Sequence, residues 1–167
     1  MLQYFKKDIK GAIDGYDYHI VGEMVVNDYS VVIMTASYFG DQYFTGPVNK
    51  AQCANTEFDN YDFMIIVGRE DNLLNDPLFM HEVGHLYMDG DKLLTGKFNT
   101  TEMSGMSVVN DIDMEKRADS FSARFFGGKA LAAALKAYAA KILPQVADEQ
   151  IRSSAEKALE ERYAALA

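Results

Sequence analysis

The chain has 167 residues and a formal net charge of −9, which works against direct binding to nucleic acid or anionic lipid, since both reward dense positive charge. The length suits one domain that buries its own core without disulfide staples, and the single Cys53 reads as a buried, inert thiol in a reducing compartment. The opening residues Met1-Leu2-Gln3-Tyr4-Phe5-Lys6-Lys7 lack the apolar run of a signal peptide, and no stretch approaches a membrane span, so a cytoplasmic protein is expected.

Leu2, Phe5, Ile9 and Ile13 recur at helical spacing and predict a short amphipathic helix at the start. Tyr18 to Val26 and Tyr29 to Tyr38 are rich in β-branched and aromatic residues, with Asn27-Asp28 as a turn, and predict a hairpin. Residues 39 to 60 hold glycine, proline and asparagine and read as an irregular loop. Tyr61 to Val67 predicts another strand, ended by Gly68. Asn75-Asp76-Pro77 then marks a helix start, and Asp89-Gly90-Asp91 its stop, with Gly90 able to turn left-handed after the last turn. Residues 90 to 110 show no clear period, and a loop of that length suggests a functional lid or a mobile segment.

Met114, Ala118, Phe121 and Phe125 mark the buried stripe of a second helix. Gly127-Gly128 breaks the chain, after which Leu131, Leu135, Tyr138 and Ile142 define a helix stopped near Pro144. A final helix, Val146 to Leu166, is rich in alanine and charge; it could pack on the domain or present a partner surface. The expected architecture is α+β over residues 1 to 167 as a single domain. It has a helix and sheet in 1–70, the central helices in 76–126 and C-terminal helices in 129–167. A small, mostly antiparallel sheet is expected to lie against the first central helix.

That central helix carries the chemistry. His81-Glu82-Val83-Gly84-His85 is an HExxH pentad. Four residues apart on a helix, two imidazoles project from one face a turn apart and can share a metal ion. The intervening Glu82 then lies beside the metal's open position, where a water would be activated. The helix is apolar on most sides (Leu78, Phe79, Val83, Leu86, Met88), so its polar groups need buried partners, and a metal supplies one. The bland alternative is a pair of core histidines satisfied by hydrogen bonds.

A hydrolytic zinc site usually takes three protein ligands and a water. The third histidine, His19, sits far upstream in a predicted strand. Glu115 and Asp119 are better placed, four apart on one helical face flanking the Met114–Ala118–Phe121 stripe. One can ligate the metal while the other accepts the ring N–H of a ligating histidine, and Glu115 is preferred as the ligand. Asp119 itself, or Asp89 if the first helix runs on, could ligate instead. A solvated acidic face paired with Lys116 and Arg117 is the non-functional reading. A calcium loop through Asp111, Asp113 and Glu115 fails, because the glycine and terminal glutamate of such a loop are missing.

The two motifs together, the pentad and Glu115-x-x-Ala118-Asp119-x-Phe121-Ser122-Ala123, resemble the ImmA/IrrE-type metallopeptidases within the HExxH-plus-Glu (gluzincin-like) zincins. The resemblance covers residues 62 to 126. It implies an intracellular zinc peptidase of bacterial or mobile-element origin, in a family some of whose members cleave DNA-binding repressors. By position it makes His81 and His85 zinc ligands, Glu82 the general base and Glu115 the third ligand. The chain departs from the family at Asp89, where many members have histidine, and at Ser122, where a small apolar residue is usual.

The expected activity is hydrolysis of a peptide bond in a protein or peptide substrate through a zinc-activated water, with one zinc per chain. Tyr87, Tyr61, Arg117 and His19 are candidates for a further oxyanion donor. The Tyr61–Val67 strand, were it a sheet edge, could bind an extended peptide by strand addition. The rival expectation is a zincin-fold module that binds a partner, such as a transcriptional regulator, without cutting it. Glu82 discriminates, since a purely structural metal site has no use for a base beside an open position.

Overall fold

β-Branched and aromatic residues crowd the first part of the chain, and there they form strands. The computed structural model describes residues 2–49, 57–98, 100–103, 106–109 and 111–167, with Cys53 outside them. The fold is α+β, and the chain divides into two units, Met1–Leu73 and Leu74–Ala167.

The first unit is a five-stranded sheet of β1 (Gln3–Ile13), β2 (Tyr16–Val26), β3 (Tyr29–Ala36), β4 (Phe44–Pro47) and β5 (Phe63–Ile66), in the order β1-β2-β3-β5-β4. Among the described residues the β3–β5 pairing is parallel and the others are antiparallel. The predicted hairpin is present as β2 and β3, and its turn residues Asn27 and Asp28 both have positive φ, 47° and 68°. That backbone twist matches the twist of paired strands. On one face Ile20, Val32, Met34 and Ile66 pack with Val48 and Phe58, and Ile9, Ile13 and Tyr18 lie against them.

The helix expected at the start is instead strand β1. Phe5, Ile9 and Ile13 are four apart, which is a multiple of two as well as nearly one helical turn, so the spacing satisfies both periods. The turn decides: Asp14-Gly15, with φ of 52° and 82°, folds β1 back onto β2. A register shift between Lys6 and Ile9 splits the strand. Beyond it Ile9, Gly11 and Ile13 are half-buried, whereas Phe5 before it is 50% exposed.

The predicted 61–67 strand is β5, but it is interior, hydrogen-bonded to β3 on one side and β4 on the other. Its backbone groups are therefore taken, and β5, contrary to the expectation, offers no free edge for strand addition. One edge, β4, lies inside the segment read as a loop. Its Thr-Gly-Pro composition resembles a turn, yet proline is tolerated on an edge strand, and Pro47 ends this one.

The second unit is helical. Helix α1 (Pro77–Thr95) starts as predicted, with Asp76 accepting the Leu78 N–H at 3.0 Å and Pro77 in the first turn. The predicted stop at Asp89-Gly90 is only a break. Asp89 leaves helical geometry (φ −136°, ψ 25°), the helix resumes, and Gly96 (φ 68°) caps it. The segment read as a loop or lid thus begins with helix and continues as a two-stranded ribbon, β6 (Thr100–Met103) and β7 (Met106–Val109). Helix α2 (Ile112–Phe126) is capped by Asp111, which accepts the Met114 N–H. Its Met114, Ala118 and Phe121 are buried as expected, while Phe125 is 55% exposed. Helices α3 (Gly128–Ile142) and α4 (Glu149–Leu166) follow, and α4 packs against α2 and α3. Among the described residues no helix is long and apolar enough to cross a membrane.

Candidate metal centre

The site is made where α1 and α2 touch, and two small residues set how closely they do. A Cβ on Gly84 would lie 2.9 Å from the Ala118 carbonyl oxygen and 3.0 Å from the Phe121 Cβ. Glycine inside the pentad therefore lets α2 lie directly on α1. Ser122, the departure noted in the second motif, has a local function: its buried hydroxyl donates to the Pro77 carbonyl at 2.8 Å, tying α2 to the first turn of α1.

This packing aims Glu115 at both histidines. His81 and His85 are buried, with ring centroids 4.7 Å apart and planes nearly perpendicular. The His81 Nε2 lies 3.0 Å from one Glu115 carboxylate oxygen and the His85 Nε2 3.3 Å from the other. One donor atom from each of the three falls within 4.8 Å of the others. Two imidazoles and a carboxylate, gathered in a buried place, are a donor set suited to zinc. The residues present fit that metal.

The two histidines differ behind this cluster. The His81 Nδ1 sits 2.7 Å from Asp119 Oδ1. The contact is short, but it is not aligned as a hydrogen bond. The His85 Nδ1 is likewise buried with no hydrogen-bond partner among the described residues, and the carboxylate contact of that ring is at its Nε2, to Glu115.

Charge is concentrated and compensated. Burial alone would push the His81 imidazole down, but the Asp119 and Glu115 carboxylates against its two nitrogens outweigh it and hold it up at about 10. Burial would likewise raise Glu115, yet the His85 and His81 rings hold it well below the usual carboxylate range. Asp119 is also held low against its burial, chiefly by Arg162.

Arg162 went unnoticed in the sequence. It comes from α4, is 11% exposed, and forks onto Asp119 with Nε and an Nη both at 2.8 Å, while its other Nη lies 3.4 Å from Glu115. Glu82 is half-buried beside the histidines, and its charge acts on Arg162.

The remaining candidates are occupied elsewhere. Asp89, the alternative ligand, is buried against Arg117, whose Nε donates to its two oxygens at 3.1 and 2.9 Å. The same pair holds Arg117 by its Nε. Tyr61 and His19 belong to the first unit. There the Tyr61 hydroxyl donates to Glu23 at 2.6 Å, and burial with that bond pushes it up to about 12. His19 is held between Asp8 at 2.6 Å and Glu70 at 2.7 Å. Tyr87 is 42% exposed, its ring against Phe121 at 4.9 Å.

No family model, curated protein or solved structure matches the chain.

Proposed function

We propose that this chain is a zinc-dependent metallopeptidase of zincin type, acting on a protein or peptide substrate in the cytoplasm. His81, His85 and Glu115 hold one zinc. The observation that carries the reading is the convergence of these three side chains within 4.8 Å, with Glu82 on the same helix turn. Zinc bound there supplies a Lewis acid and makes water acidic enough to attack near neutral pH. Glu82 takes a proton from the attacking water as the new C–O bond forms. It then delivers that proton to the departing amine as the C–N bond breaks. Asp119 holds the His81 ring in place.

Substitution of Glu82 by glutamine tests this. Glutamine keeps the size of glutamate but cannot accept the proton. Glu82→Gln should fold, bind one zinc per chain, and retain proteins from a lysate that wild type cleaves and chelator-treated wild type does not. A Glu82→Gln protein that cleaves those partners at the wild-type rate would remove the base from the mechanism. If wild type binds the partners and cuts none, the non-catalytic binding module replaces the peptidase.

A further inference from the structure

Glu115 and Asp119 lie one turn apart on α2 with their charges directed at one histidine. Two buried carboxylates so arranged repel, and neither has an intrinsic reason to hold the rotamer the site needs. Arg162 resolves both difficulties. Its fork fits both oxygens of Asp119 at 2.8 Å, which fixes the carboxylate plane and turns Oδ1 toward the His81 Nδ1. Its remaining nitrogen lies 3.4 Å from Glu115 Oε2, the oxygen that also sits 3.0 Å from the His81 Nε2.

Arg162 is held by the backbone packing of α4. The neighbouring Glu161 accepts from Lys116 of α2 at 2.7 Å, but that pair is solvent-exposed and adds little. Four residues after Arg162, the Leu166 carbonyl oxygen presses so closely on Gly128, at the start of α3, that no Cβ fits there. The end of α4 is thus locked in register, as a support for ligand geometry must be.

We infer that Arg162 is a positioning residue of the metal centre: from the C-terminal helix it orients Glu115 and Asp119 together, so that α4 is part of the site. The inference rests on the proposed metal reading of His81, His85 and Glu115. By thermodynamic reciprocity, metal binding then strengthens the docking of α4 by the same factor that Arg162 contributes to metal affinity.

The test uses the full chain with zinc or cobalt(II) alone. Arg162→Lys keeps the charge and loses the fork. It should lower zinc affinity about tenfold to a hundredfold in chelator competition and alter the visible spectrum of the cobalt(II) form, which reports ligand geometry. Glu161→Ala, which removes the neighbouring ion pair, should change neither. Zinc should also slow amide exchange in α4 of wild type, and less so in Arg162→Lys. Should Arg162→Lys fail to fold by circular dichroism, Arg162→Gln is measured against the same criteria. Wild-type affinity and an unchanged cobalt spectrum in the variant overturn the inference, as does an equal loss in Glu161→Ala, which would make α4 docking in general responsible. If wild type takes up neither metal, the metal reading fails first, a result distinct from the other two, and the inference falls with it.

Discussion

Gly84 offers the most direct test of how helix packing sets the proposed metal centre. An added methyl would sit 2.9 Å from the Ala118 carbonyl oxygen and 3.1 Å from the Ala118 Cα, where ordinary contact begins near 3.4 Å. These neighbours are backbone, so the clash is relieved only by parting α1 and α2 by about 0.5 Å, the difference between contact and clash at the closest atom. Overpacking of this kind costs about 1–3 kcal/mol, and replacing a helical glycine by alanine returns about 1 kcal/mol. The net loss for Gly84→Ala is therefore ~0–2 kcal/mol, and the protein should still fold. Zinc is less forgiving, because its ligand distances hold to within about 0.2 Å. Moving Glu115 on α2 away from the histidines on α1 should weaken zinc far more than it weakens the fold. Chelator competition and urea unfolding, run on the same preparations, separate the two effects. Gly96→Ala serves as control: it strains a left-handed cap (φ 68°) with open space around it, so it should lower stability and leave zinc affinity unchanged. A Gly84→Ala protein with wild-type zinc affinity would refute the argument.

Glu115→Ala should cost zinc binding most. Asp119→Asn, acting through His81, should cost roughly tenfold to a hundredfold, and Asp89→Ala should leave affinity intact while destabilising the fold by stranding Arg117; loss of zinc only in the last variant would move the third ligand to α1. Zinc affinity should rise with pH, because the metal-free His81, held up at about 10, must release its proton to the metal at neutral pH; the slope is about tenfold per pH unit for one proton. The metal-free protein should show the opposite trend in stability. A histidine raised in the folded state contributes fully below its ordinary value of 6.5, and that contribution is lost as pH rises to about 10. Titrations above neutral pH, with and without zinc, check both signs, and a pH-independent zinc affinity there would show that His81 carries no competing proton.

What was legible in the sequence follows the range of the interactions. A helical period places His81 beside His85 and Glu115 beside Asp119 without reference to anything distant, and those pairs do meet as expected. The Asn27-Asp28 hairpin was equally local. The misreadings arose where a local signal was ambiguous or competed with another. The four-residue spacing of Phe5, Ile9 and Ile13 suits helix and strand alike, although Asp14-Gly15, a strong hairpin signal in its own right, could have decided between them. Gly90 looked like a helix stop because glycine commonly ends helices, whereas the chain takes its left-handed turn at Gly96.

Arg162 was illegible for a different reason. It lies 43 residues from Asp119 in sequence, in a helix most of whose other charges are exposed, and nothing in its neighbours distinguishes it from them. Only the docking of α4 beside α2 turns one of five arginines into the counter-charge of the two carboxylates. The same logic explains the inequality of the histidines. His81 is backed by Asp119, which is backed in turn by Arg162, a line of contacts running from α1 through α2 to α4. His85 has Glu115 on one side and, among the described residues, no hydrogen-bond partner for its other nitrogen. Changes at Asp119 or along α4 should therefore reach the metal through His81 and Glu115, and leave the His85 ring where packing holds it. Ring-nitrogen chemical shifts of the two histidines in Asp119→Asn would show this directly: a large change at His81 with little at His85 is the expected result, and equal changes at both would mean that the two rings are held as one unit.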